Sequence, residues 1–337
     1  MSGRGAHIFG CAGPRLGGDE AAFLTDADPW GFILFARNVE TPDQVRGLVH
    51  DLRSAVGWKA PVLIDQEGGR VARFRGPHWR EWLPPLDQVE RAGRDAARSM
   101  YLRYRIIAAE LSELGIDVNC VPCADIATEA THPFLRNRCY GTEPETVGHL
   151  ARAVATGLMA GGVLPVLKHI PGHGRAAVDS HEGLPQVGAS PEDLTATDFE
   201  AFRRLSDLPL GMTAHVVYGA FDDRAATLSS RMIRLIREQI GFHGLLLTDD
   251  ISMGALGGSL AETCRRSLEA GCDLILHCNG DLAEMRMVAG MSGRLTPEAQ
   301  LRAEGALRLR GSPQPIDIPA AEAELEALLS GQADGRS

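Results

Sequence analysis

VLPVLKHIPGHGRAAVDSHEGLP, residues 163–185, joins an apolar run to a segment that no regular element can hold. Residues 163–167 are short and continuously apolar, the pattern of a strand buried on both faces. Pro171, Gly172 and Gly174 then exclude a helix, and the next helical start signal is Ser190-Pro191-Glu192-Asp193. The segment is therefore a long loop leaving the end of a strand. Such connections usually take about 2 to 6 residues, and much longer ones in compact domains tend to be lids or binding loops. Three histidines, a lysine, an arginine and an aspartate crowd into residues 168–185, which marks them as the candidate active-site loop.

Runs of the same kind recur at residues 7–10, 31–36, 61–64, 116–121, 208–213, 244–247 and 272–276, which with 163–167 makes eight. Several are continuous rather than alternating, as parallel strands covered on both faces are. The segments between them carry helix punctuation. Thr41-Pro42-Asp43-Gln44, Thr142-Glu143-Pro144-Glu145, Ser190-Pro191-Glu192-Asp193 and Ser259-Leu260-Ala261-Glu262 each open in the manner of a capping box, and Gly115 and Gly271 sit where helices should stop. Strand and helix in alternation mean a parallel sheet, and eight repeats predict closure into an α/β fold of the single-domain (β/α)8 TIM type. We expect one catalytic barrel over residues 1–337, with about 313–337 as a peripheral C-terminal helix and tail. A doubly wound open sheet is the alternative.

Composition narrows the functional classes. The formal net charge of −10 and the lack of a Lys/Arg cluster argue against nucleic-acid binding. Arg103 and Arg105 read as part of a solvated helix face. No stretch of about 20 apolar residues exists to span a membrane, and MSGRGAHIFG at the start lacks the hydrophobic region of a cleaved signal. Seven cysteines, an odd number scattered through a chain this large, fit a reducing, cytoplasmic setting. Cys120 and Cys123 form a C-x-x-C inside a strand-like run with no second pair, and read as small buried hydrophobes. With no exposed apolar helix in the pattern, a monomer is expected.

In a barrel the chemistry sits where strands end. Asp65, Asp125, Lys168 with His169, His215, Asp249 with Asp250, and Asn279 follow six successive apolar runs. Asp249, closing LLLT, can act as a nucleophile toward a sugar carbon, a metal ligand or a Schiff-base partner. If the strand continues, Asp250 points to the other face. Asp179-Ser180-His181 is a candidate acid/base dyad, because a neighbouring carboxylate raises a histidine's pKa and fixes its tautomer. A rival reading makes His169, His173, His181 and Asp249 ligands of a divalent ion in a metal-dependent hydrolase. Spacing alone leaves glycosidase and metal hydrolase both open.

K-H-x-P-G-H-G followed by D-S-H and L-P, with a later T-D-D-x-S-M-G-A, resembles the single-domain bacterial β-N-acetylhexosaminidases of glycoside hydrolase family 3, which serve peptidoglycan recycling. GFILFARN at 31–38, IDQEGGRVARF at 64–74, Arg138 in RCYG, the 168–185 loop and LLLTDDISMGAL at 245–256 carry the likeness in order. The resemblance implies a (β/α)8 barrel that needs no cofactor and no metal. It implies Asp249 as nucleophile, His181 as acid/base with Asp179 as its partner, and Asp65, Arg73, Arg138, Lys168 and His169 as the residues that bind the terminal sugar. The implied reaction releases β-linked N-acetylglucosamine from a saccharide or muropeptide through a covalent intermediate; a phosphorolytic relative would share these motifs. His173, Arg175, Asp125 and His215 read as support for the loop and the barrel rim. Phe134 and Leu135 belong either to a neighbouring subsite or to the core, and Trp79 and Trp82, in the insertion-like segment 76–85, either stack on a second sugar or cover the barrel.

Overall fold

In the computed structural model, which describes residues 3–176 and 183–331, all eight apolar runs contribute strands. They are β1 (Gly5–Gly10), β2 (Pro29–Leu34), β3 (Val62–Ile64), β4 (Val118–Asn119), β5 (Leu164–Ile170), β6 (Leu210–Thr213), β7 (Leu245–Asp250) and β8 (Leu274–His277). Each pairs in parallel with its successor, and β8 pairs with β1, so the sheet closes into a barrel and the open alternative falls. The continuous apolar runs follow from burial on both faces. Leu245 and Leu247 of β7 and Leu274 and Leu276 of β8 fill the interior, while Leu246 and Ile275 between them pack outward under the helices.

The helices begin largely where the sequence places them. The Thr41, Ser190 and Ser259 side chains accept from the backbone N–H of Gln44, Asp193 and Glu262, satisfying donors that the first turn leaves open. Helix Pro144–Ala160 differs: its cap is Glu143, which makes no side-chain capping bond. Gly271 stops its helix in the left-handed region, at φ +111°. Near the C-terminus, helix Pro297–Arg308 presses Ala299, Ala303 and Ala306 into the interior cluster. Helix Ile318–Leu329 sets Ala321 and Leu325 against Leu102 and Ile106 of helix Ala96–Glu113; residues 332–337 lie outside the described residues. Among the described residues no helix is long and apolar enough to cross a membrane.

Arg103 and Arg105 do not face solvent. Both are buried, because helix Ile318–Leu329 and the segment 76–85 cover the outer side of their helix. Arg105 donates to the Gln314 carbonyl, and Arg103 donates inward to the carbonyls of Glu67 and Leu83. A guanidinium can be buried where several carbonyls replace its water, and helical spacing does not record that cover.

Candidate active site

The C-terminal ends of the strands surround a cavity of about 490 Å³, within the size range that holds a small ligand. Asp65, Arg73, Arg138, Lys168, His169, Asp249 and Asp250 line it, together with His173, Phe134 and Leu135. Five of the strand-end residues proposed from sequence thus converge. Asp125 and His215 lie just behind, fully buried, and Asn279 turns away to bond Glu284 and the Asp281 N–H. Asp179 and His181 lie outside the described residues. Ala176, the last residue described before them, lines the cavity.

The polar groups form one connected chain. Arg73 Nη2 donates to Asp65 Oδ2 at 2.9 Å, and Lys168 Nζ donates to Asp65 Oδ1 at 2.9 Å. The same ammonium lies 2.7 Å from Glu67 Oε1. Glu67 in turn takes Arg138 in a fork, Nε at 2.9 Å and Nη2 at 2.8 Å. Arg138 Nη2 stands 3.4 Å from His169 Nε2, and His169 Nδ1 is 2.7 Å from Asp125 Oδ2. The last contact sets the histidine's tautomer: Nδ1–H donates to Asp125, leaving Nε2 as an acceptor toward Arg138. Asp125 also takes the backbone N–H of His173 at 2.6 Å, tying the loop to the strand ends. Gly174 permits the loop to lie there, since a Cβ on it would meet the Ile126 carbonyl at 1.8 Å.

Burial alone would drive these carboxylates toward the protonated state, and the cations reverse that. Lys168 and Arg73 hold Asp65 well below the usual carboxylate range despite its burial. Arg138 and Lys168 likewise bring Glu67 down to about 2. Burial pushes Lys168 down, but Asp65 and Glu67 outweigh it and keep the ammonium charged. Asp249 is held below its usual range against the pull of burial by His215, His169 and Lys168, so it is ionised at neutral pH. His173 falls to about 4, chiefly because burial disfavours its charged form.

Asp249 differs from its neighbours in its bonding. Its Oδ1 accepts the Asp250 N–H at 2.8 Å, and among the described residues it makes no ion pair. Asp250 is more fully bonded: Oδ1 takes the N–H groups of Ser252 and Cys278, and the single Ser252 hydroxyl lies 2.8 Å from both oxygens. His215 supports the strand end from behind, with Nε2 at 3.0 Å from the Asp250 carbonyl and Nδ1 at 2.8 Å from Thr227 Oγ1.

The structure also decides several open readings. Phe134 and Leu135 line the cavity, and Phe134 carries the Arg70 guanidinium 3.8 Å over its ring. Trp79 stacks on Phe74 at 4.4 Å and Trp82 packs beside Arg103; neither lines the cavity, so both cover the barrel. Arg175 bonds Asp198 and Thr197 and serves the loop. Cys120 and Cys123 are buried free thiols. The metal reading names His181, which lies outside the described residues. Among the described residues the one group of three candidate ligand atoms is Cys123, Asp125 and His169, which excludes Asp249 and His173, and the Arg138 cation stands against His169 Nε2.

Sequence reasoning missed Glu67, the centre of the chain. Its signal was the I-D-Q-E spacing, which sets Glu67 two residues after Asp65. Gln66 between them turns away to bind the N–H groups of Arg73 and Phe74.

Comparison with known proteins agrees with this architecture. Residues 14–305 match the profile of the glycosyl hydrolase family 3 N terminal domain. A beta-hexosaminidase of Methylococcus capsulatus is 35% identical over 306 residues, covering 89% of this chain and 90% of that protein. One of Alkalilimnicola ehrlichii is 37% identical over 289 residues, 82% of this chain and 81% of its own. The crystal structure of NagZ from Neisseria gonorrhoeae in complex with N-trifluoroacetyl-D-glucosamine superposes with a TM-score of 0.86 at 31% identity, covering 98% of this chain and 99% of that one. With the barrel closed, its mouth lined as described and the match running through nearly the whole chain, the protein belongs to glycosyl hydrolase family 3.

Proposed function

We propose that this β-N-acetylhexosaminidase removes a terminal β-linked N-acetylglucosamine with retention of configuration, in two displacements through a covalent glycosyl-enzyme intermediate on Asp249. The observation that carries the reading is the contrast among the pocket carboxylates. Asp65 and Glu67 are locked between cations and Asp250 is bound by Ser252 and the Cys278 N–H, whereas Asp249 is ionised and, among the described residues, has one oxygen without a partner. Asp65, Arg73, Arg138, Lys168 and His169 hold the hydroxyls and the N-acetyl group of the sugar. Charged donors and acceptors in fixed geometry suit hydroxyl recognition, and such bonds strengthen as the oxocarbenium-like transition state forms.

His181 protonates the departing oxygen and then deprotonates water, with Asp179 as its partner. What supports this is chain reach: His181 follows the cavity-lining Ala176 by five residues, a span of up to about 17 Å. The aglycone is a fragment of peptidoglycan. Arg70 supports that choice, because it is exposed over Phe134 beside the cavity and no carboxylate among the described residues pairs with it, as suits an anionic aglycone. The whole chain acts as one catalytic unit, a cytoplasmic monomer, and its seven buried free thiols suit that compartment. Proton NMR of the first product from a nitrophenyl N-acetyl-β-glucosaminide tests the reading. The β-anomer should appear first and mutarotate later; initial release of the α-anomer overturns retention.

A further inference from the structure

Arg103 lies outside the cavity, yet one of its bonds reaches the backbone of Glu67, whose carboxylate faces the cavity cations. It is fully buried, and among the described residues no carboxylate pairs with it. Nη1 donates to Gln88 Oε1 at 2.8 Å, and Nη2 donates to the Leu83 carbonyl at 2.8 Å and to the Glu67 carbonyl. Removing a guanidinium from water without a paired anion is unfavourable, and an apolar side chain would avoid that cost. A charge kept in such a place points to what it holds.

Glu67 is what it holds. The Glu67 carbonyl receives Arg103 and also the Tyr104 hydroxyl, at 2.9 Å, both from helix Ala96–Glu113. On the cavity side, the Glu67 carboxylate receives Arg138 and Lys168. The next residue is Gly68, at φ +104°, and a Cβ there would fall 1.8 Å from Arg103 Nη2. The backbone therefore leaves its side chain out where the guanidinium passes. Beyond it, the rings of Trp82 and Tyr104 stand 5.6 and 5.4 Å from the guanidinium carbon.

We infer that Arg103 is a positioning residue for the sugar clamp: by holding the Glu67 carbonyl from behind, it fixes where the Glu67 carboxylate presents Arg138 and Lys168 to the terminal sugar. It also couples the tryptophan-bearing segment 76–85 to the clamp through Leu83. The inference rests on the reading of Arg138 and Lys168 as sugar-holding residues.

A double-mutant cycle on kcat/KM for the nitrophenyl substrate, with thermal unfolding followed in parallel, tests it. Arg103→Met is expected to lower kcat/KM at least about tenfold in the wild-type background and less than about twofold in Glu67→Gln, because the two act as one unit. Equal fold losses in both backgrounds make Arg103 merely structural and overturn the inference, as does a wild-type kcat/KM in the single variant. If Arg103→Met does not fold, Tyr104→Phe removes the second donor to the same carbonyl while keeping the ring. It should cost about threefold alone and nothing in Glu67→Gln; an additive loss overturns the inference. A Glu67→Gln enzyme with wild-type kcat/KM overturns the clamp reading and the inference with it, so the two failures are distinguishable.

Discussion

Strands β3 and β7 stand four apart in an eight-stranded barrel and so face each other across its mouth, and each ends in carboxylates with opposite bonding. At the β3 side, Asp65 is shared between Arg73 and Lys168, and Glu67 between Lys168 and Arg138. At the β7 side, Asp249 has, among the described residues, neither a bonded cation nor a partner on its second oxygen. A carboxylate fixed between two cations has its lone pairs occupied and its charge neutralised, so it orients well and attacks poorly. Asp249 keeps its charge with the Asp250 N–H bonded to it and the Lys168 ammonium farther off, while remaining available. Residue type does not separate holding from reacting; bonding partners do.

The strongest way to break this contrast is to remove the open carboxylate. Asp249→Ala is expected to lower kcat on a nitrophenyl substrate by about 10⁴-fold or more. A variant that keeps at least about a tenth of the wild-type rate contradicts the assignment, since a nucleophile's loss cannot leave that much.

The next test uses the leaving group. His181→Ala should lose about 10²- to 10⁴-fold with a sugar alcohol as leaving group and much less with nitrophenol, which barely needs protonation. Equal losses on both substrates speak against a general acid.

A smaller effect belongs to the outer end of the cavity. Arg70→Ala is expected to reduce kcat/KM about tenfold for a substrate with an anionic aglycone and to leave the neutral nitrophenyl glycoside nearly unchanged, with the difference fading at high salt. Comparable losses on the two substrates would assign Arg70 to the sugar site instead.

The mildest prediction concerns stability on the histidine side of the chain. His173 takes its proton near 6.5 when unfolded and near 4 when folded. Between those values the unfolded state binds more protons, so the contribution of His173 is intact above about 6.5 and is lost as pH falls toward 4. Thermal unfolding between pH 7 and 4 should fall less steeply in His173→Asn than in the wild type. An unchanged slope would remove His173 from the buried neutral set.

The fold was legible because burial on both faces writes itself into consecutive residues: LLL in β7 and LIL in β8 need no partner to be read as covered strands. Strand ends were legible for the same reason, since an Asp or a Lys directly after such a run has few places to point. Glu67 was not, because its role depends on Arg138 and Lys168, 71 and 101 residues away, meeting one carboxylate. Arg103 misled because helix Ala96–Glu113 gains its outer cover from helix Ile318–Leu329, more than 200 residues later. The tryptophans of the 76–85 segment could face either way until Phe74 and Arg103 supplied their partners.

The most direct measurement is to trap the intermediate. The protein, dialysed against a chelator and free of phosphate, is incubated with a 5-fluoro N-acetylglucosaminyl fluoride, and its peptides are mapped by mass. The account predicts one sugar adduct, placed on Asp249 itself by fragmentation of its peptide, formed without metal or phosphate. An adduct on Asp65, Glu67 or Asp250, or turnover that waits for a divalent ion or phosphate, would contradict it.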